Sequence, residues 1–344
     1  MRRCIELAEL GAGNVAPNPM VGAVLVHSGR IIGEGYHEKF GEPHADVNCI
    51  NSVQDFDKQF IKSSILYVSL EPCTHFGKTP PCTDLIIQQN IKYVVIGCRD
   101  SFEQVNGAGI SKLITADIKV DIGILEKECK DLNKRFFTFH NKKRPYIILK
   151  WAQSNDGFIA AESFLKTKIS NIYTDRLVHK WRSQEAAILV GANTIRTDNP
   201  NLTTRNWIGK NPVRVIIDES LKLGKDVNVF NTYADSIIIN RSLSAVKNNI
   251  EFYKINEQQS TTEAVLECLY KKQINSIIIE GGSKTLQYFI NTGFWDEARV
   301  ITNTSLFLNK GVKIPLLHNP KLISSVNIFT DNIQFFVKNN DDAL

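Results

Sequence analysis

The sequence predicts an α/β fold arranged as two domains, and three observations lead to this prediction. The chain has 344 residues, whereas a typical domain takes about 100–200 residues. Short runs of β-branched residues alternate with helical stretches along the chain, which is typical of α/β architecture. A polar, basic segment at 140–144, followed by Pro145, interrupts this alternation. We therefore place one domain at 1–142 and the other at 143–344.

The first domain begins with a pattern typical of a β-hairpin. Apolar runs at 21–26 and 31–36 flank a short polar turn that contains Gly29. Further strands are predicted at 65–70, 92–97 and 118–122, and helices are predicted at 44–53, 83–89 and 110–116. Because helices separate these later strands, we expect the strands to pair in parallel within a small sheet.

The second domain repeats the alternation and is long enough to bury a core of its own. Strands are predicted at 146–150, 187–190, 213–218, 236–239, 276–280, 299–303 and 333–337. Helices are predicted at 173–183, 262–272 and 284–291.

Composition excludes several classes of protein. The chain is 43% hydrophobic and carries a net charge of 41 − 36 = +5, so it is not a disordered chain. No apolar run approaches the roughly 20 residues of a membrane-spanning helix. The sequence also has no run of five basic residues, the pattern that would indicate a nucleic-acid-binding surface. The seven cysteines are odd in number and widely scattered, which favours a reducing cytoplasm over a disulfide framework.

One histidine and two cysteines form the strongest local signal. His44, Cys73 and Cys82 supply three ligands, the usual number for a catalytic zinc that keeps one position for water. Cys82 opens a predicted helix, whose N-terminus favours the thiolate. Asp46 follows the histidine as the proton-transferring acid does in zinc-dependent nucleobase deaminases. The alternative is a buried histidine with structural cysteines. The other cysteines are interpreted as core residues: Cys4, Cys49, Cys98, Cys129 and Cys268.

Three segments, at 16–24, 41–47 and 69–82, extend this signal. They read APNPMVGAV, GEPHADV and SLEPCTHFGKTPPC, and they resemble the deaminase half of the bifunctional riboflavin-biosynthesis deaminase/reductases. The resemblance implies a cytidine-deaminase-like α/β/α domain in which His44, Cys73 and Cys82 bind zinc and Asp46 is catalytic. It further implies that a phosphorylated pyrimidine nucleotide is held by Asn18, His75 and Lys78. A lysine suits a phosphate contact.

Asp46 departs from the family pattern, which has glutamate at this position. Aspartate is one methylene shorter, so its carboxylate is withdrawn by about 1.5 Å, and a misplacement of about 1 Å can cost ~10²-fold in rate. We expect a slowed deaminase, with a decayed, merely metal-binding domain fused to a reductase as the alternative. The family also has residues before its first helix, so we expect the natural start to lie upstream of Met1.

The second half lacks the G-x-G-x-x-G fingerprint of standard dinucleotide-binding folds. Its most suggestive segment is the predicted strand 276–280, which ends in Glu-Gly-Gly and leads into a helix. Glycines allow close backbone approach, and a helix N-terminus offers N–H groups to a phosphate. By itself, a plain strand-to-helix turn explains this segment equally well.

Segments 149–157, 189–200 and 201–205 resemble the reductase half of the same enzymes, whose fold is similar to dihydrofolate reductase. The resemblance implies that NADPH is contacted by Ala152, Thr194, Asp198, Ser220, Gly282, Ser283, Lys284, Thr285 and Leu286. It implies that the phosphorylated substrate is held by Arg182, Leu202, Arg205 and Glu280. A guanidinium suits phosphate because it presents a planar fork of donors.

The sequence therefore predicts a bifunctional enzyme that uses zinc and NADPH. Its substrate is expected to be a diaminopyrimidinone with a ribosylamino 5′-phosphate, which is deaminated and then reduced at the ribosyl group. Lys150 and Glu280 are candidates by position for proton transfer in the reduction. Two alternatives are a nucleic-acid-editing zinc deaminase and a reductase acting on folate. A homo-oligomer is left open.

Overall fold

A computed structural model describes residues 1–74, 76, 80–100, 106–162 and 167–339. The chain divides into two compact units, Met1–Lys143 and Arg144–Leu344. His75 and Lys78, two of the predicted substrate-binding residues, lie outside the described residues. Within the described ranges, no helix is both long and apolar enough to cross a membrane.

The first unit contains one sheet with helices packed around it. Its helices are α1 (Arg2–Glu9), α2 (Ala45–Asn51), α3 (Cys82–Gln88), α4 (Ala108–Thr115), α5 (Glu126–Leu132) and α6 (Lys134–Lys142), and a 3₁₀ helix spans Asp55–Ser63. Its strands are β1 (Gly22–His27), β2 (Arg30–Tyr36), β3 (Ile65–Leu70), β4 (Tyr93–Cys98) and β5 (Lys119–Ile122). The order is β2-β1-β3-β4-β5. The predicted hairpin is confirmed, as is the parallel pairing of β3, β4 and β5.

Two glycines let helix α2 lie directly against strand β2. A Cβ placed on Gly33 would lie 2.5 Å from the carbonyl oxygen of Cys49, and one on Gly35 would lie 2.2 Å from the amide nitrogen of Cys49. Any larger side chain at these positions would push the helix off the sheet. This close approach fixes α2 on the sheet, and His44 is the N-cap of this helix.

The polar, basic segment at 140–144, which was predicted to separate the two domains, is helical in its first part. Helix α6 continues through Lys142 and ends at Lys143, which has a left-handed φ of +53°. The physical reason is burial, because Phe136 and Phe139 anchor α6 in the core of the first unit. The basic residues at its end therefore belong to the last turn of an amphipathic helix.

The second unit contains a larger mixed sheet. Its helices are α7 (Ile172–Gln184), α8 (Ala192–Asp198), α9 (Thr261–Lys271) and α10 (Ser283–Asn291), and a 3₁₀ turn spans Asn228–Phe230. Its strands are β6 (Tyr146–Ser154), β7 (Phe158–Ala161), β8 (Ala187–Gly191), β9 (Val213–Ile217), β10 (Ser236–Asn240), β11 (Ala245–Lys247), β12 (Ile250–Lys254), β13 (Ser276–Ile279), β14 (Glu297–Asn303), β15 (Gly311–Lys313), β16 (Pro320–Ile328) and β17 (Asp331–Lys338). The sequence analysis did not predict β7, β11, β12, β15, β16 or α8.

Ten strands form the main sheet of this unit, in the order β11-β12-β10-β9-β8-β13-β6-β14-β17-β16. The strands from β12 to β14 pair in parallel, and the strands at both edges pair antiparallel. The middle strands β8 and β13 are almost fully buried, as expected for a sheet covered on both faces. Because these strands are parallel, their carboxyl ends lie together at one end of the sheet, which is where ligands collect in α/β sheets.

All seven cysteines lie among the described residues, and none forms a disulfide. The five that were interpreted as core residues are each 0% exposed. Cys82 is also buried, whereas Cys73 is partly accessible.

Candidate active sites

Three ligand-capable side chains meet at one end of the first sheet. His44 is the N-cap of α2, Cys82 is the first residue of α3, and Cys73 lies in the loop after β3. The Nδ1 atom of His44 is 3.6 Å from the Sγ of Cys73 and 3.4 Å from the Sγ of Cys82. The three ligand atoms lie within 4.8 Å of one another. We call these residues the ligand trio.

The spacing and chemistry of the ligand trio fit a zinc ion. Zinc bonds of about 2.3 Å to sulfur and about 2.0 Å to nitrogen, at tetrahedral angles, separate nitrogen and sulfur by about 3.5 Å. The Cys82 amide also donates to the Cys73 Sγ at 3.4 Å. Hydrogen bonds from Cys82 and His44 lower the pKa of the Cys73 thiol to about 4. Cys73 therefore favours the thiolate, the form that binds metal.

Asp46 is a buried carboxylate in the first turn of α2, beside the ligand trio. It is 2% exposed, and its Oδ1 has no hydrogen-bond partner among the described residues. Burial raises the pKa of Asp46 to about 6, although a hydrogen bond with Cys82 opposes this shift. An unpartnered buried oxygen is costly unless a ligand or water completes it, so Asp46 has an acceptor site for water next to the ligands.

Glu71 holds the loop that carries Cys73, and the sequence analysis did not single it out. Its carboxylate is 4% exposed and accepts four backbone N–H bonds of 3.0–3.2 Å, from Asp100, Gly107, Gly109 and Ile110. Two of these donors lie in the first turn of α4. A Cβ on Gly109 would lie 2.1 Å from the carbonyl oxygen of Pro72, so α4 rests directly against the residue before Cys73. The only sequence signal is the Glu-Pro-Cys motif itself.

Asn18, a predicted substrate-binding residue, is linked to the ligand trio through His37. The Asn18 Nδ2 lies 3.2 Å from the His37 Nε2, and the His37 Nδ1 lies 3.1 Å from the carbonyl oxygen of Pro43. The His37 ring is 2% exposed and lies edge-on to His44, with 5.3 Å between ring centroids. Burial lowers the pKa of His37. Sequence reasoning missed His37 because a lone histidine after a strand carries no motif.

A second cluster of charged residues lies at the carboxyl end of β13. Glu280 accepts two bonds of 2.8 Å from Arg182, at Nε and Nη2, and one of 3.4 Å from the Nζ of Lys150. The three side chains are 7–13% exposed. Burial acts to raise the pKa of Glu280, but the charges of Arg182 and Lys150 outweigh burial and lower it to about 2. Glu280 is therefore ionised at neutral pH.

The backbone carbonyl of Thr203 extends this cluster. It accepts a bond of 3.3 Å from the Nη1 of Arg182 and a second bond from His179. His179 is 3% exposed. Burial is the main cause that lowers the pKa of His179 to about 4, and the charges of Arg182 and Arg205 add to this shift. The neighbouring Leu202 is buried with a left-handed φ of +55°, so this loop is held in one conformation.

A glycine-rich turn joins β13 to α10. Gly282 is the N-cap of α10, and its N–H donates to the Oγ1 of Thr194 at 3.0 Å. A Cβ on Gly191, at the end of β8, would lie 2.7 Å from the Oγ1 of Thr285. The glycines thus bring the carboxyl ends of β8 and β13 close to the first turn of α10. The backbone N–H groups at the N-terminus of α10 are suited to a phosphate.

Both halves of the chain match known protein families. Residues 1–98 match the model described as the cytidine and deoxycytidylate deaminase zinc-binding region, and residues 145–307 match the RibD C-terminal domain. The riboflavin biosynthesis protein RibD of Aquifex aeolicus (strain VF5) is 40% identical over 306 residues, which cover 86% of this chain and 83% of that protein. The chain belongs to the RibD family.

Further comparisons support membership of the RibD family over both units. RibD of Escherichia coli (strain K12) is 32% identical, with 86% of this chain and 84% of that protein covered. A crystal structure from Thermotoga maritima is 38% identical, with a TM-score of 0.90 over 98% of this chain and 97% of that one. It is named a diaminohydroxyphosphoribosylaminopyrimidine deaminase/5-amino-6-(5-phosphoribosylamino)uracil reductase.

RibD-family membership confirms the predicted α/β class and the predicted bifunctional enzyme. The chain is a deaminase and reductase of riboflavin biosynthesis, with a zinc-binding deaminase region in its first unit. The roles of single residues stay predictions. The structure brings together the ligand trio with Asp46, Glu280 with Arg182, and Gly282 with Thr194.

The other residues predicted to bind ligands in the second unit lie on several of its elements. Ala152 lies on β6, Asp198 ends α8, Ser283 and Lys284 begin α10, Leu286 is buried within α10, and Arg205 and Ser220 are exposed. Four neighbouring strands of the sheet are parallel: β9, β8, β13 and β6. The segments that follow these strands therefore lie at the same end of the sheet.

Proposed function

We propose that the first unit deaminates a diaminopyrimidinone ribosylamino 5′-phosphate and that the second reduces the product's ribosyl group to ribityl with NADPH. Two findings support this substrate. The ligand trio and its flanking motifs are of the riboflavin-pathway type, and the 38% identical enzyme of T. maritima is named for compounds of this class. The deaminase zinc-binding region and the RibD C-terminal domain supply the two activities in one chain.

In the deamination, Asp46 transfers the protons. His44, Cys73 and Cys82 would hold the zinc ion, which when bound would supply Lewis-acid activation of water. The Asp46 carboxylate accepts the proton from water and returns it to the departing ammonia. Its pKa, raised to about 6 by burial, suits a group that must both take and give a proton near neutral pH.

In the first unit, the residues proposed to bind the nucleotide are Asn18, His75 and Lys78. The Asn18 amide contacts the Nε2 of His37, and the other ring nitrogen of His37 faces the carbonyl oxygen of Pro43, the residue before His44. Lys78 provides a positive charge for the 5′-phosphate, which a compact ammonium binds as a point charge.

In the reduction, Lys150 is the proposed proton donor. NADPH, when bound, would supply the hydride for C1 of the ribosyl group, and the ring oxygen released from C1 must take up a proton. Glu280 cannot supply this proton at neutral pH, because its pKa is lowered to about 2. Lys150 lies 3.4 Å from Glu280, which holds the ammonium in place.

Binding groups for both phosphorylated ligands surround this pair. Arg182 uses three of its N–H groups on Glu280 and Thr203, which leaves two donors for the substrate. Arg205 is exposed and adds a second guanidinium, and Leu202 shapes the same loop. The cofactor contacts are proposed at Ala152, Thr194, Asp198, Ser220, Gly282, Ser283, Lys284, Thr285 and Leu286.

We place this activity in the cytoplasm, with small molecules as its only ligands. The absence of disulfides among the seven cysteines supports a reducing compartment. A net charge of +5 suits phosphorylated substrates and a dinucleotide better than nucleic acid.

The observation that carries the proposal is the ligand trio with the unpartnered Asp46 oxygen beside it. The test is to incubate the protein with the diaminopyrimidinone nucleotide, with and without NADPH, and to follow product mass. Deamination should add about 1 Da without NADPH, and reduction should add a further ~2 Da with it. A product that gains ~2 Da but never 1 Da would show that only the reductase works.

A further inference from the structure

His37 is a buried ring that connects two parts of the deaminase site without being a metal ligand. One ring nitrogen faces the carbonyl oxygen of Pro43, the residue before His44, at 3.1 Å. The other faces the side-chain nitrogen of Asn18 at 3.2 Å. The two contacts together use both nitrogens of a 2% exposed ring.

The chemistry of the Pro43 contact decides which nitrogen carries hydrogen. A backbone carbonyl accepts only, so the Nδ1 of His37 must be the donor. In the neutral ring the Nε2 is then an acceptor, and it takes a hydrogen from the Nδ2 of Asn18. The Asn18 amide is therefore oriented with its nitrogen towards His37 and its oxygen, Oδ1, at the opposite end.

The surrounding backbone keeps the ring in this position. The His37 N–H donates to the carbonyl oxygen of Val21 at 2.9 Å. A Cβ on Gly11 would lie only 2.6 Å from the His37 carbonyl oxygen, so the chain is closely packed here. Among the described residues, no donor binds the Asn18 Oδ1, which leaves this oxygen for a ligand.

We propose that His37 is a positioning residue that presents the Asn18 Oδ1 as an acceptor for an N–H group of the pyrimidine. This inference rests on the proposed deaminase substrate. That substrate carries amino groups and ring N–H groups. If the amide were reversed, it would present its own N–H₂ to these donors. A site built to bond a donor discriminates strongly against analogues that lack it.

Two substitutions separate the two hydrogen bonds of His37. In His37→Asn the side-chain amide reaches about as far as Nδ1, so it keeps the bond to Pro43 and loses the acceptor for Asn18. In His37→Gln the side chain reaches about as far as Nε2 and can accept from Asn18. The experiment measures KM and kcat for deamination and zinc content in both variants and the wild type. Reductase turnover on the deaminated nucleotide controls for folding.

We expect His37→Asn to raise KM about 10-fold while kcat changes far less, since the lost contact is one hydrogen bond used in binding. His37→Gln should restore KM to within about 3-fold of the wild type. Zinc content should stay equal in all three proteins. An unchanged KM in His37→Asn overturns the proposal, as does equal loss of zinc and activity in both variants, which indicates a structural role alone.

The nucleotide is also titrated by calorimetry into the same three proteins. If the wild type binds the nucleotide but does not deaminate it, the proposed function fails while the Kd values still test His37. A Kd that is weaker in His37→Asn than in His37→Gln supports the positioning role. Equal Kd values refute it.

Discussion

Replacing Asp46 with glutamate is expected to speed deamination. The extra methylene moves the carboxylate outward by about 1.5 Å. In the structure the Asp46 carboxylate hydrogen-bonds to Cys82, and its Oδ1 has no partner among the described residues. Because a misplacement of about 1 Å costs ~10²-fold, a carboxylate that reaches further should raise kcat by roughly 10- to 100-fold.

The same substitution should lower stability. Asp46 is 2% exposed, and a methylene added to a closely packed site costs about 1–3 kcal/mol. The Asp46→Glu variant should therefore deaminate faster than the wild type and have a smaller free energy of unfolding. A faster but less stable variant cannot be explained by general improvement of the fold.

The assay is single-turnover deamination of the diaminopyrimidinone nucleotide, with zinc content matched between proteins. Asp46→Asn is the control, since it keeps the side-chain length and removes the carboxylate. It should lose about 10²- to 10⁴-fold in rate, the usual contribution of general acid–base catalysis.

Equal rates for the wild type and Asp46→Glu would refute this reasoning. The Asp46 carboxylate would then already reach the water and the departing amine. A slower Asp46→Glu with full zinc content would show that the site has adapted to the shorter side chain.

Three further predictions concern single residues. Cys82→Ser should lose most of its zinc by metal analysis, whereas Cys268→Ser, a buried cysteine of the second unit, should keep it. Glu280→Gln leaves two nearly buried cations without their counter-charge, so reductase turnover should fall and the second unit should lose about 3–5 kcal/mol of stability in urea. An unchanged unfolding midpoint would contradict this. His179 has a folded pKa of about 4 against about 6.5 when unfolded, so the unfolded chain binds its proton first as pH falls. Stability present above pH 6.5 should decline by about 2–3 kcal/mol towards pH 4, and this decline should be smaller in His179→Gln.

Local patterns were sufficient to predict which three side chains come together as candidate metal ligands. The ligand trio is marked by short motifs in which His44 and Cys82 stand at helix starts. Helix N-termini depend on nearby sequence, so these positions could be predicted without tertiary information. The segment at 140–144 was predicted to interrupt the alternation of helices and strands, whereas α6 continues through Lys142 because Phe136 and Phe139 are buried.

The support of the site could not be predicted in this way. Glu71 binds backbone groups about thirty or more positions away, and Arg182 pairs with Glu280 across 98 positions. Such pairs depend on strand order and on the packing of helices against the sheet. A sequence pattern shows which side chains are available but not which of them meet.

The sequence by itself determined the α/β class, the zinc-binding chemistry and the resemblance to a bifunctional deaminase/reductase, because residue types and spacing carry that information. Only the tertiary structure decided that the ionised Glu280 pairs with two cations and that His37 orients the amide of Asn18. The reason is physical: pKa values and hydrogen-bond polarity depend on burial and on partners that folding brings together.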